Sequence, residues 1–460
     1  MEASEDIPVG TTLLRESPVT WALHPERFGS HCQDCLGQVK AVIPCPLCSS
    51  VCFCSVPCRD RALATYHRYE CSANNLLIAS GLNIYPALTY RILATFGLDH
   101  VWSLREELEQ HDDTAGQYRQ DEFVKAFNLV CHEDKARLST FLLFYIFQYL
   151  TFSQVTEEEQ LLRTFVSVFL LKLLQFSNYF SDYSETETFP ELTEKYLYVG
   201  RLLLHFTHSF PQNVHDIALL ETSETRRWVN SAEIKSLGAG VYLTGALFNH
   251  SCDPSFMRCN VGKDLVSVTN KNIQRGEEIS ECYGQMYYSK SLETRRGQLE
   301  KHYKFFCQCE ACLYNWPTIK DLRYASGGER TNHHDLMRIR CQACGQVMER
   351  LKGLKVANIL TCLVCGVESE VNNIPLDTIR EASITAETLL CDKLSWSDGI
   401  KAVSDCQVEF DKYLVAPCIE LYNTQIAIWR AMVNILTNIN NNQSYSFTVY
   451  SGSLWETRKL

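Results

Sequence analysis

Three cysteines stand within six positions in CQCEAC (307–312): Cys307, Cys309 and Cys312. Thiolates at this spacing suit a tetrahedral metal such as zinc, which takes four ligands. No cysteine or histidine follows within the next twenty residues. The fourth ligand must come from elsewhere. Cys131, Cys252, Cys259 and Cys282 are all candidates, and spacing does not choose among them.

Residues 32–71 read C-x2-C-x9-C-x2-C-x5-C-x3-C-x8-H-x3-C, with Cys32, Cys35, Cys45, Cys48, Cys54, Cys58, His67 and Cys71 as ligands. Eight ligands make two tetrahedral sites. His67 and Cys71 sit at i and i+4, a helical spacing that turns both toward one metal. A segment this short buries little apolar surface, so metal binding must supply much of its folding energy. Cys52, two positions from Cys54, reads as a packed spectator. Further on, CQAC (Cys341, Cys344) and CLVC (Cys362, Cys365) are two knuckles, each followed by glycine, and read as a zinc ribbon.

With 22 cysteines in 460 residues and knuckle spacing, metal binding in a reducing compartment is the expectation, hence cytoplasm and nucleus. The start, MEASEDIPVG, has no apolar signal core. The greasiest stretch, FLLFYIFQYLTF (141–152), is too short to span a bilayer and reads as a buried helix. A net charge of −11 argues against a broad phosphate-binding surface and suits a cationic, lysine-rich partner.

Several elements can be placed by pattern. EDIPVGTTLL (5–14) and KNIQRGEEIS (271–280) share [DN]-I-x-x-G-x-x-[LI]. This reads as one strand–turn–strand element used twice, with Gly10 and Gly276 in the turns. DLVSVTN (264–270) alternates as a half-buried strand does. Residues 157–176 carry helical apolar spacing behind an acidic first turn. PLDTIREASITAETLL and IELYNTQIAIWRAMVNILTNI read as paired helices, and the last sixteen residues show no periodicity.

The 32–71 pattern, with its Phe53–Cys54 step and closing H-x3-C, resembles the MYND zinc finger. That resemblance implies interleaved pairing: Cys32, Cys35, Cys54 and Cys58 on one zinc, Cys45, Cys48, His67 and Cys71 on the other. It also implies binding of proline-rich peptides. Three further segments occur in order: NHSCDP (249–254), GEEISECYG (276–284) and HYKFFCQCEAC (302–312). Together they look like the SET domain of protein-lysine methyltransferases. With the finger, the chain is similar to the SMYD (SET and MYND) family, nearest its longer, tetratricopeptide-bearing member. In that family the NHSC cysteine joins the post-SET triplet, which makes Cys252 the fourth ligand.

The fold class expected from this resemblance is α+β. A first SET piece (1–31) precedes the MYND finger (32–71), a helical insert (72–204) and the SET core (205–300). Post-SET (301–316), linker and zinc ribbon (317–370) and a helical, tetratricopeptide-like lobe (371–460) follow. The implied activity is methyl transfer from S-adenosylmethionine to a lysine of histone or non-histone protein, with two zincs in MYND, one in post-SET and one in the ribbon. Tyr283 matches the catalytic tyrosine, and Tyr303 the tyrosine lining the lysine channel. Asn249 and His250 match contacts to the cofactor's amino-acid and adenine portions. Tyr283 borders that site too, Phe305 matches the aromatic over adenine, and Asn213 an asparagine on the strand entering the core. A monomer without membrane or nucleic-acid partners is expected.

Two departures bear on this. The family's glycine-rich G-x-G step does not precede EDIPVG, so the chain is expected to be an N-terminally shortened form. Ser255 stands where asparagine commonly follows NHSCDP. A catalytically weak adaptor, binding proline-rich partners through the finger, is the alternative these departures motivate.

Overall fold

The computed structural model describes residues 1–105, 155–180, 189–221, 233–323, 338–348, 359–370 and most of 396–428. It also describes short pieces between 374 and 385 and at 455–456. The 141–152 stretch, Cys131 and most of the two segments expected as paired C-terminal helices lie outside these residues. Among the described residues, no helix is long and apolar enough to cross a membrane.

The β framework is assembled from distant pieces of chain. Asp264–Thr269 is the centre of an antiparallel sheet between Thr12–Glu16 and Phe256–Val261. A second sheet runs Thr20–Leu23, Glu233–Val241, His215–Glu221. At Gly238 a Cβ would fall 2.0 Å from the carbonyl oxygen of Ala22, so only glycine lets these strands approach. The two [DN]-I-x-x-G copies pair with each other: Ile7 and Ile273 exchange both backbone hydrogen bonds, at 2.8 and 2.9 Å. Gly10 and Gly276 take φ of 81° and 83°, as turns of this kind require.

The half-buried reading of 264–270 is corrected. Residues Leu265 to Thr269 are all buried. Leu265 packs with Leu13, Phe248 and Phe256 on one face. Val266 and Val268 pack with Val403, Cys406 and Phe410 on the other. Those residues come from a helix, Trp396–Tyr413, that the sequence reading did not place. The helix runs into Leu414–Val415, which pairs with Arg338–Arg340 of the first ribbon hairpin. The final residues also hold a short strand, Trp455–Glu456, paired with Glu2–Ala3.

The insert is helical where it is described. Thr156 and Glu159 close a capping box at the start of Glu157–Phe176, and this helix packs along Phe189–Asn213. Ile84–Phe96 lies on the Thr20–Leu23 strand. Its buried Arg91 grips both carboxylate oxygens of Glu70 at 2.6 and 2.7 Å and donates to the carbonyl of Trp21 at 2.8 Å. One guanidinium thus joins insert, finger and framework.

Candidate active site and metal centres

Four sets of side chains converge so that their ligand atoms all lie within 4.8 Å of one another. They are Cys32, Cys35, Cys54, Cys58; Cys45, Cys48, His67, Cys71; Cys252, Cys307, Cys309, Cys312; and Cys341, Cys344, Cys362, Cys365. Sulfur separations such as Cys35–Cys54 at 3.5 Å, Cys45–Cys71 at 3.8 Å and Cys341–Cys365 at 3.6 Å recur across them. Zinc–sulfur bonds of about 2.3 Å set a tetrahedral edge of about 3.8 Å, so the donor sets fit zinc in size and chemistry. All-protein sets of four are closed, structural sites.

Two supports for these clusters were not visible in spacing. His67 turns Nε2 toward Cys48 at 3.5 Å, while its Nδ1 lies 4.0 Å from Glu70. Such a carboxylate fixes the ring for a metal on the other nitrogen. Burial pushes the Glu70 carboxyl up, but Arg91 and His67 outweigh it and hold it below the ordinary range. At the post-SET cluster, Arg295 is 1% exposed and donates to the carbonyls of Lys290 (2.6 Å) and Ala311 (3.2 Å). Its guanidinium lies 3.7 Å from the sulfur of Cys312 and offsets the charge of clustered thiolates.

The clasp brings the remaining residues together. Cys252 donates its backbone N–H to the sulfur of Cys309 and lies 3.5 Å from that of Cys312. Just before it, Asn249–His250 pairs in parallel with Ser280–Glu281. Ser255 secures this pairing, since its hydroxyl accepts the N–H of Ser280 and donates to the carbonyl of Glu278. The short side chain is used fully by the backbone around it.

Tyr283 follows that strand pair. Its N–H donates to Nδ1 of His250 (3.0 Å) and its hydroxyl to the carbonyl of Phe248 (2.6 Å). Burial pushes its hydroxyl pKa up. The hydroxyl of Tyr303 donates to the carbonyl of Tyr283, and the two rings lie 4.9 Å apart. Burial lifts Tyr303 to about 12. The Phe305 ring stands 5.8 Å from His250 and edge-on to Tyr283 at 6.4 Å. Both ring nitrogens of His250 are engaged, Nε2 lying 3.3 Å from the sulfur of Cys252, and burial lowers it to about 4. Asn249 is exposed and held by Glu278 at 2.8 Å.

A small half-open cavity lies beside these tyrosines. Tyr283, Tyr303 and Asn213 line it, together with His215, Arg258 and Glu281. Asn213 therefore stands with the tyrosines, as the last residue of the Phe189–Asn213 helix; the expected strand starts two residues later.

Residues 1–284 match the SET domain family. Among curated relatives, protein-lysine N-methyltransferase SMYD4 of Mus musculus is 25% identical over 309 residues, 61% of this chain and 38% of that protein. Its Homo sapiens counterpart is 22% identical over 470 residues, 90% and 55% respectively. Histone-lysine N-methyltransferase SMYD3 of Mus musculus is 38% identical over 82 residues, 18% of this chain and 19% of that protein. The chain belongs to the SET domain family, in its SMYD branch. It spans about half the length of the SMYD4 relatives it matches. In this SET chain, the sequence reading missed His215, Arg258 and Glu281. They come from three different strands, so no local spacing announces them.

Proposed function

We propose that this chain is a protein-lysine N-methyltransferase that takes its methyl group from S-adenosylmethionine. The observation that carries this is the position of Tyr283. Its hydroxyl proton is spent on the carbonyl of Phe248, which leaves the oxygen's lone pairs free beside a cavity. Such an oxygen can accept from a lysine amine and aim its lone pair without competing as a nucleophile. The aromatic pair Tyr283–Tyr303 forms the wall that keeps water from the alkyl chain.

The surrounding residues fit the cofactor. Phe305 offers a half-buried aromatic face suited to adenine, and Asn249 an exposed amide suited to its polar groups. His250 has both ring nitrogens committed, so its ring face is what it can present. When bound, S-adenosylmethionine supplies an activated methyl group and a positive charge. Asn249, Phe305 and the Tyr283 wall would hold it, and the cavity would receive the lysine.

The four cysteine-rich sets would each hold one structural zinc, two in the finger, one in the clasp and one in the ribbon. The finger's exposed Val42 and Leu47 support docking of proline-rich peptides there. The substrate is a lysine-bearing protein, and the many reduced thiols suit the cytoplasm or nucleus. A monomer accounts for all of this.

The test is labelled methyl transfer into core histones and poly-lysine by the full chain and by Tyr283→Phe. Loss of about 10²-fold or more in the variant is expected. Equal transfer by both would sink the mechanism. Absence of S-adenosylmethionine binding by calorimetry at millimolar cofactor would favour the adaptor reading.

A further inference from the structure

Lysine reaches any such cavity as an ammonium, because its unperturbed pKa is about 10.4. A methyl acceptor must first lose that proton. Tyr283 and Tyr303 are both shifted upward by burial and their hydroxyl protons are bound to carbonyls. Neither can take another proton usefully. Arg258 is a cation, and Gln212, Asn213, Val214, Gly245 and Ala246 complete the lining without a base. That leaves His215 and Glu281.

These two form a buried pair. Nε2 of His215 lies 3.4 Å from Oε2 of Glu281, with side-chain exposures of 9% and 4%. The other carboxylate oxygen is in close ion contact with Arg258 at 2.8 Å. Burial pushes the Glu281 carboxyl up, yet Arg258 and His215 outweigh it and keep it ionised. Glu281 is therefore a poor proton acceptor and a good partner for an imidazolium. Nδ1 of His215 is itself buried and has no hydrogen-bond partner, within a residue that lines the cavity. With Nε2–H directed at Glu281, Nδ1 carries the lone pair.

Resting on the methyltransferase reading above, we infer that His215, oriented by Glu281, is the base that removes the proton from the substrate ammonium. The N–H bond of the lysine breaks and its electron pair stays on nitrogen. The proton passes to the imidazole, directly or through one water. The imidazolium is then balanced by Glu281, and the amine is ready as a nucleophile. Arg258 assists by opposing a second cation in the same cavity. Other charged or titratable groups nearby are already engaged. Tyr242 stands edge-on to the His215 ring at 5.7 Å, Glu16 accepts the N–H of Gly245 behind it, and Asp216 is bonded to Ser236.

The experiment compares the unaltered full chain with His215→Gln and Glu281→Gln, using S-adenosylmethionine and poly-lysine across about pH 6.5 to 10. A lost base should slow His215→Gln by about 10²-fold or more near neutrality. The deficit should shrink as pH approaches that of free lysine, about 10.4, where the amine needs no help. A merely structural role would give a deficit that does not change with pH. Nitrogen-15 spectra of the chain without cofactor give a second readout. The neutral ring of His215 should appear as the tautomer with hydrogen on Nε2, facing Glu281, and a bare Nδ1. A pH-independent deficit, equal rates, or an Nδ1–H tautomer at high pH would overturn the role of His215. If the unaltered chain transfers no methyl at all, the methyltransferase reading itself falls, and this role with it.

Discussion

The sulfur of Cys252 lies 3.5 Å from that of Cys312, sixty positions further along the chain. Nothing in local spacing distinguishes Cys252 from Cys259 or Cys282, yet these two thiols close the wall between the Asn249–His250 strand and the post-SET segment. Cys259 is instead bonded to the carbonyl of Val266 within its sheet. Cys252→Ser should therefore lower bound zinc from four equivalents to three, whereas Cys259→Ser should leave it at four. Native mass spectrometry of the full chain counts them. Full metal retention in Cys252→Ser would show that the clasp closes by other means.

The ion pair between Arg91 and Glu70 makes a second prediction. Both residues are buried, at 5% and 4% exposure, and Glu70 also faces His67. Removing one partner of a buried pair strands the other and costs about 3–5 kcal/mol. Arg91→Met should therefore destabilise the chain by roughly that amount and loosen the finger zinc held by His67. Adding Glu70→Gln should recover part of the loss, because the orphaned charge is gone. Urea unfolding with a zinc-release dye reads both effects. Additive losses in the double variant would mean that the two residues act separately.

What was legible in the sequence was whatever one segment specifies by itself. The CxxC knuckles, the NHSC, GEEI and post-SET segments and the [DN]-I-x-x-G repeat all belong here. Each short spacing is fixed by ligand geometry or by a turn. The Trp396–Tyr413 helix was missed although Val403, Cys406 and Phe410 recur on one face. Gly399 and a run of polar residues masked that spacing. Its absence from the reading then misjudged Asp264–Thr269, because alternation cannot show that a second face is covered by chain from far away. The His215–Glu281–Arg258 cluster was illegible for the same reason. It exists only where three strands meet.

Glu16 ties the pH response of the fold to the site. Its two carboxylate oxygens accept the N–H groups of Thr244 and Gly245, each at 3.0 Å. These begin the turn Gly245–Leu247, which leads into Phe248 and the carbonyl that holds Tyr283. Burial raises the Glu16 carboxyl from 4.5 to about 7, outweighing the opposing pull of those N–H groups. The folded state then holds this proton more tightly than the unfolded state does. Its stabilising contribution is full below about pH 4.5 and is lost as pH rises through about 7. Each tenfold difference in proton affinity between the two states is worth about 1.4 kcal/mol, so the loss is of order 3 kcal/mol. Glu16→Gln cannot ionise, and it gives up one of the two acceptors, at a cost of about 1–3 kcal/mol where the native carboxyl is neutral. The native chain should therefore lead the variant clearly at about pH 5, and that lead should shrink or reverse by about pH 8. Thermal unfolding of both proteins across this range makes the comparison. Two curves that stay parallel would show that Glu16 does not titrate in the folded chain within this window.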